Sequence, residues 1–410
     1  MSNQCRFCDN LLKHTLVDLG VSPLANAYIS AEQTHQMEPF YPLRVYVCKH
    51  CYLVQLPVFQ SSEKIFSDYA YFSSFSDSWL QHAEAYVNDM IDRFGYDTDS
   101  RVIEIASNDG YLLQYFKKKG IPVLGIEPAR NVAQVAKKAG IQTLEKFFGC
   151  QTAKELVQEG KYADLLIGNN VLAHVPDVND FVKGMKIILQ PHGIITMEFP
   201  HLMRLMAENQ FDTIYHEHFS YFSFTVVEKI FKQYGLTIFD VDELPTHGGS
   251  LRIYARHAED DSKGIGENVA ALREREAVEG FENLEFYLTF NQKVQSIKRS
   301  ILDFMVRTQN EGKTIVGYGA PAKGNTLLNY CGIRTDFMAY TVDRSPHKQG
   351  YFLPGTHIPI HHPDKIKETQ PDYVVILPWN IKDEIMRQMA YIRDWNGKFV
   401  TLIPEVRIYS

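Results

Sequence analysis

Two C-x-x-C pairs, Cys5/Cys8 and Cys48/Cys51, hold four of the chain's six cysteines, while Cys150 and Cys331 stand alone. A two-residue spacer lets both thiolates of a turn face one ion. Two such turns supply the four sulfur ligands of a closed, tetrahedral, structural zinc site. Buried or redox-active thiols are the alternative, which reducing conditions disfavour. His50, inside the second pair, reads as a spacer. A second reactive cluster is Tyr215-His216-Glu217-His218-Phe219-Ser220-Tyr221. Taking a proton from carbon calls for a base of near-neutral pKa, and imidazole is the usual one. A carboxylate such as Glu217 can orient it, and a phenol such as Tyr215 can hydrogen-bond a developing oxyanion. If the segment is helical, Tyr215 and His218 share a face; if extended, His216 and His218 do. A packed aromatic loop with hydrogen-bonded histidines is the plainer alternative. A His216/His218 metal pair lacks a nearby third ligand. His174, four residues past Asn170, is either a second catalytic group or a buried histidine at a helix start.

The elements that would carry these groups alternate strand and helix. Arg101–Ile105 reads as a buried strand, Ser107-Asn108-Asp109-Gly110 as a tight turn, and 111–119 as a helix stopped by Gly120. Strands at 121–126, 141–144 and 163–167, with helices between, predict a doubly wound parallel sheet. Ligands of such sheets bind beyond the carboxyl ends of the strands. The polar residues fall there: Glu104, the turn itself, Glu127-Pro128 and Asn169-Asn170. An acidic residue closing the second strand suits the ribose hydroxyls of a nucleoside. The turn is not G-x-G-x-x-G, and Glu104 and Asp109 would repel a pyrophosphate. S-adenosylmethionine, with a sulfonium and an amino group, fits better. Its expected contacts are Glu104, Ser107, Asn108, Asp109, Gly110, Glu127, Pro128 and Asn169.

A second alternation occupies the C-terminal third. After a charged helical stretch near 260–310, read as a solvated helix pair, a strand enters the turn Gly317-Tyr318-Gly319-Ala320-Pro321-Ala322-Lys323-Gly324. Strands at 337–342, 373–377 and 398–403 complete a second doubly wound sheet. Backbone amides and a lysine opening a helix suit a phosphate or diphosphate. Asp343, 20 residues after Lys323, suits a ribose. Packing glycines are the alternative. His247-Gly248-Gly249-Ser250 reads as a hairpin where a ligand or another backbone can come close.

Composition narrows the classes further. The 410 residues, 45% hydrophobic and 22% charged, suit a globular protein of about two to three domains. A net charge of −7 offers no positive excess for nucleic acid or an anionic membrane. No segment approaches a membrane span, and MSNQCRFCDN lacks the pattern of a secretory signal. A cytoplasmic, monomeric enzyme is expected.

Several short motifs occur in one order: the two cysteine pairs, Tyr69-Ala-Tyr71-Phe-Ser-Ser74, Glu104-Ile-Ala-Ser-Asn108-Asp109-Gly110, Glu127-Pro128, Asn169-x4-His174-Val-Pro176, Tyr215-x-Glu217-His218-Phe219, His247-Gly248-Gly249, Gly317-Tyr-Gly-Ala-x-Ala-Lys323 and Pro404-Glu-Val. This arrangement resembles the sugar C-methyltransferases of bacterial deoxysugar pathways over essentially the whole chain. The resemblance implies an α/β protein of three parts: a zinc-binding domain (1–68), a methyltransferase domain binding S-adenosylmethionine (69–257), and a Rossmann-like domain (258–410). The last would help hold a nucleotide-linked 4-keto-deoxysugar, with dTDP as the expected nucleotide and carbon 3 as the expected position. By the same likeness His218 matches the base, Tyr215, Glu217 and His174 surround the reacting carbon, and Tyr71 matches an aromatic residue over the cofactor. Gly249, Gly319, Ala320, Lys323 and Asn380 fall to the substrate. His216 stands where the family often has Asp and takes no catalytic role; Ala106 replaces a usual glycine and Gly324 a usual serine. Two other readings remain open: O- or N-methylation of a nucleotide sugar, and a non-enzymatic scaffold that senses these ligands.

Overall fold

The computed structural model describes residues 4–63, 73–75 and 77–410, so Tyr69 and Tyr71 lie outside the described residues. Strands are numbered in chain order. Behind the cysteine pairs, β1 (His14–Ser22), β2 (Tyr41–Val47) and β3 (Val54–Gln55) pair antiparallel. A fourth strand, β9 (Ser220–Tyr221), arrives from the middle of the chain and pairs with β3.

The second sheet contains β4 (Val102–Ile105), β5 (Val123–Ile126), β6 (Thr143–Leu144), β7 (Ala163–Asn169), β8 (Leu189–Pro200), β10 (Leu236–Leu244) and β11 (Ser250–His257). Its order is β10-β11-β8-β7-β4-β5-β6, with β11 antiparallel to both neighbours. The apolar runs of β4 and β7 are buried on both faces, as a helix-covered parallel sheet demands. β5 and β6 lie on one side of β4, while β7 and β8 lie on the other. The winding therefore reverses at β4, and a crevice opens at its carboxyl end.

The third sheet repeats this logic with β12 (Ile315–Tyr318) at the switch. β13 (Thr341–Val342) and β14 (Ile360–His361) lie to one side, and β15 (Tyr373–Ile376), β16 (Lys398–Thr401) and β17 (Arg407–Tyr409) to the other. The strand expected over 337–342 is reduced to Thr341–Val342. Its first half is instead a turn in which the Phe337 and Met338 N–H groups donate to the Arg334 carbonyl.

The zinc-domain strands are not an isolated module. Leu16, Val45 and Val54 share a core with Phe304, Ile315 and Val400, and the cysteines share another with Phe222 and Phe224. The charged run after 260 also differs from a solvated pair. Helix Glu267–Glu279 buries Val269, Leu272 and Glu276, and helix Phe290–Asn310 buries Phe290, Val294 and Ile301. Glu276 Oε1 accepts from His201 Nε2 and the Phe224 N–H, both at 2.7 Å, while Oε2 accepts from the Thr225 N–H at 2.8 Å and its hydroxyl at 2.6 Å. Burial alone would raise its pKa, but the bonds from His201 and Thr225 prevail and hold it low. Glu276→Ala leaves those donors stranded and is expected to cost about 3–5 kcal/mol, read as a lowered midpoint in urea denaturation. Among the described residues, no helix is long and apolar enough to cross a membrane.

Candidate active site

Three acidic residues gather at the first crevice. Glu127, just past β5, accepts from the Asn108 N–H (3.0 Å) and the Ala129 N–H (2.8 Å), so it fastens the turn after β4. Asn108 Oδ1 accepts from the Ser73 N–H, and Asp109 Oδ2 from the Ser74 N–H and hydroxyl, so a second segment is clipped onto that turn. Burial pushes the Glu127 carboxyl up to about 7, with Asp109 adding to the rise. Burial drives Glu104 further, well above the carboxylate range, and Asp109 and Glu127 add to it; only the nearby Tyr111 hydroxyl opposes the rise.

The backbone here is held in sparsely populated conformations, with φ of +56° at Ala106, +50° at Asn108 and +53° at Asn170. Such strain persists where surrounding structure imposes it, and it clusters at functional sites. Among the described residues, both Glu104 oxygens, Ser107 Oγ, Asp109 Oδ1, Asn169 Oδ1 and Asn170 Oδ1 are buried without a hydrogen bond of full geometry. Gly110 closes the turn by donating to the Ser107 carbonyl at 3.0 Å, and Pro128 lies half-buried beside Glu127. A crevice rich in unsatisfied acceptors and carboxylates calls for a ligand of hydroxyl donors and positive charge. S-adenosylmethionine meets that demand and a pyrophosphate does not.

The second cluster connects to this crevice through His247, which bonds Asn170 just past the end of β7. Residues 215–218 form a turn in which the His218 N–H donates to the Tyr215 carbonyl at 2.9 Å. That turn stacks Tyr215 on His218 with ring centroids 4.1 Å apart, and His174 meets His218 edge-on at 4.7 Å. His216 points away, to the Pro42 carbonyl (3.2 Å) and the Tyr41 ring. His218 Nδ1 lies 2.9 Å from the Thr213 carbonyl. A carbonyl cannot donate, so Nδ1 carries the hydrogen and Nε2 keeps its lone pair. The same argument makes His174 an Nδ1–H donor to the Glu217 carbonyl at 2.8 Å. Among the described residues the Glu217 carboxylate orients no imidazole; it accepts from Asn26 Nδ2 at 2.7 Å, and burial lifts its pKa to about 7. Burial pushes His218 well below the usual histidine value; the neighbouring His174 lowers it further, as do His247 and Lys323. Burial takes His174 down to about 4.

His247, with φ of +54°, joins the cluster through Asn170 Nδ2 at 3.1 Å and meets the Trp79 ring at 5.2 Å. Beneath it Glu198 binds Arg252 and His82, each at 3.0 Å, and the Thr246 hydroxyl at 2.9 Å. Burial opposes ionisation of Glu198, yet the His82 hydrogen bond and the Arg252 charge hold its carboxyl at about 2.

From the C-terminal sheet, Lys323 enters the same space. Its ammonium donates to Asn380 Oδ1 at 2.6 Å and lies 4.5 Å from the Trp379 ring centre. Burial lowers it to about 8, and Asp212 opposes the fall. Trp379 Nε1 donates to Asp212 at 2.7 Å, one residue before the carbonyl that anchors His218. The Gly-rich turn departs from the expected anion cradle. The Ala320 N–H is already taken by Asp343 Oδ2 at 2.8 Å, and the Ala320 carbonyl accepts from the Tyr28 hydroxyl and Lys348. Asp343 thus plugs the turn rather than waiting for a ribose. Gly319, at φ +91°, is needed because a Cβ would lie 2.5 Å from Pro378. At Gly249, φ +116°, the close neighbour is the Arg204 side chain, 2.7 Å from a would-be Cβ.

At the far side of β3, the four cysteine Sγ atoms lie within 4.8 Å of one another, and Cys5/Cys51 and Cys8/Cys48 are each 3.5 Å apart. Sulfurs held about 2.3 Å from a tetrahedral zinc sit about 3.8 Å apart, so the set fits the ion and leaves no open position.

With this geometry in view, three family models divide the chain. Residues 5–66 match a family described as "Putative zinc binding domain", 79–241 a "Methyltransferase domain", and 245–404 a "C-methyltransferase C-terminal domain". Over 408 residues the chain is 34% identical to C-methyltransferase NovU of Streptomyces niveus, covering 100% of this chain and 97% of that protein. The chain belongs to the C-methyltransferase family. This C-methyltransferase also shares 29% identity over 96 residues with the ubiquinone biosynthesis O-methyltransferase of Bartonella tribocorum, 23% of this chain and 39% of that protein. The magnesium protoporphyrin IX methyltransferase of Synechocystis PCC 6803 covers 43% of this chain and 78% of its own at 14% identity, with a TM-score of 0.33. The C-methyltransferase therefore takes S-adenosylmethionine as cofactor and zinc as a structural ion. Carbon is its acceptor atom, which sets aside the O-/N-methylation and scaffold readings.

Proposed function

We propose that this C-methyltransferase acts on a nucleotide-linked 4-keto-deoxysugar, with dTDP as nucleotide, and methylates carbon 3 beside the ketone. The observation that carries the reading is the His218 imidazole. Its Nδ1–H is spent on Thr213, so Nε2 keeps its lone pair as an acceptor, with Tyr215, His174 and Lys323 nearby.

The 4-keto group acidifies the neighbouring C–H bond. His218 Nε2 accepts that proton, and the electron pair moves onto the carbonyl oxygen as an enolate. His174 carries its hydrogen on Nδ1, so its Nε2 is an acceptor and cannot donate there; the Tyr215 hydroxyl and the Lys323 ammonium are the groups that stabilise the oxyanion. When bound, S-adenosylmethionine supplies an electrophilic methyl group on sulfur. Glu104, Asp109 and Glu127 would hold its positive end and its hydroxyls, and Glu127 and Ser74 hold the turn that carries Asp109 in place. Lys323 and Asn380 also suit the sugar or its phosphates.

The cluster predicts a pH profile. His218 is active when neutral, and its folded pKa is depressed, so the acid limb of kcat/KM for the sugar, at saturating S-adenosylmethionine, should lie below pH 6.5. Lys323→Met removes one of the charges that hold it down, so the limb should move upward. The wild type should show a basic limb near pH 8 as Lys323 loses its proton, absent from the variant. Mass spectrometry of the protein with S-adenosylmethionine and a panel of nucleotide-linked 4-keto-deoxysugars tests the substrate class. Transfer to the sugar carbon is expected; no transfer to any member contradicts the reading.

A further inference from the structure

The second cysteine pair runs directly into the strand that touches the base segment. On β3, Gln55 pairs with Tyr46 on one side and with Ser220, two residues past His218, on the other. The Leu56 N–H donates to the Phe219 carbonyl at 3.0 Å, and the Phe219 N–H donates to the Ala173 carbonyl at 2.7 Å, beside His174. The residue after the base is thus laced to the zinc domain on one edge and to the His174 turn on the other.

Gln55 sits at the junction, 1% exposed. Its Nε2 donates to Cys5 Sγ at 3.1 Å, and its Oε1 accepts the Arg6 N–H at 2.9 Å. The Arg6 guanidinium continues to the Leu56 carbonyl at 2.5 Å and the Pro176 carbonyl at 3.3 Å, and lies 5.6 Å from the Phe219 ring centre. Asn179 Nδ2 holds the Arg6 and Phe7 carbonyls, each at 3.1 Å. An N–H bond to a zinc-bound thiolate is charge-assisted, and such outer partners orient the ligands they touch.

We propose that the four-cysteine zinc site is a positioning device for His218, and that Gln55 is the positioning residue coupling them. The side-chain amide ties the Cys5 thiolate to β3, and the backbone of the same residue sets the register of the base segment. A staple placed only to stabilise the N-terminal strands would have no need of this bond. The proposal rests on His218 being the base.

The test uses zinc-loaded full-length protein and two variants. Gln55→Leu removes all three side-chain bonds, including the one from Nε2 to the Leu53 carbonyl at 3.4 Å; Gln55→Glu keeps the acceptor for Arg6 and removes the donor to Cys5 and Leu53. Three readouts are taken: zinc affinity by chelator competition, kcat and KM for both substrates, and the ring-nitrogen NMR signals of His218. Zinc affinity should fall about 10- to 100-fold in both variants, the range for outer-shell partners. kcat should fall about tenfold or more with KM for S-adenosylmethionine unchanged, since a base displaced by about 1 Å can cost a hundredfold. The His218 signals should shift in both variants, and also in the wild type as chelator withdraws zinc. Weakened zinc binding with kcat and the His218 signals unmoved would overturn the proposal, as would unchanged zinc affinity. Should His218→Ala prove fully active, the assignment of the base fails, while the NMR arm still decides whether zinc and residue 218 are coupled.

Discussion

His218→Ala is expected to lower kcat at least about a hundredfold, the low end for an acid–base group, and to leave S-adenosylmethionine binding intact. The selectivity follows from geometry. The His218 ring is anchored by the Thr213 carbonyl and stacked on Tyr215, whereas the cofactor-side turn is fastened by Glu127 and the Ser73–Ser74 segment. Tyr215→Phe should lower kcat to a similar degree, because it removes the proposed oxyanion donor while keeping the stacked ring. Calorimetric titration alongside steady-state kinetics checks both halves. Loss of cofactor affinity in His218→Ala would mean that residue 218 supports the crevice instead of the chemistry.

Glu127→Ala should produce the reverse pattern, with S-adenosylmethionine binding weakened about 10- to 100-fold, as expected for the loss of charged hydrogen bonds worth about 1.5–3 kcal/mol. The carboxylate is the common acceptor for the Asn108 and Ala129 amides, so its removal releases the turn as well as the proposed ligand contact. Its pKa of about 7 adds a signature. A ligand of donors and positive charge favours the ionised form, so affinity should rise as pH climbs through 7. Below that pH, binding should release a proton. Glu127→Gln cannot titrate and should bind with no such dependence. Calorimetry at several pH values in two buffers of different ionisation enthalpy reads both effects.

The parts legible in the sequence were those whose chemistry is local. The cysteine pairs meet because each sits on its own turn, and Glu104 and Glu127 reach one crevice because parallel strands end on one side. Tyr215 and His218 were legible as an i, i+3 pair, though only the turn at 215–218 decides between that pairing and His216 with His218. What escaped was assembled from distant elements. Asn26 on Glu217, Trp379 on Asp212, and Glu198 with His82 and Arg252 have no shared period or motif, since burial brings them together across 191, 167, 116 and 54 residues. β9 is two residues long and finds its partner in another domain, so no strand pattern marks it. Asp343 shows the limit of spacing arguments. Twenty residues after Lys323 suits a ribose contact, but the chain turns its carboxylate back onto the Ala320 amide.

Solvent exchange at the sugar is the most direct test of the account. The protein is incubated in deuterated water with a nucleotide-linked 4-keto-deoxysugar and S-adenosylhomocysteine, so that no methyl group can be transferred. Deuterium should enter at carbon 3 and nowhere else on the ring at a rate that needs the wild-type protein, and His218→Ala should abolish it. Methylated product from the complete reaction without any such exchange in the wild type, or undiminished exchange in His218→Ala, would contradict proton removal by that imidazole.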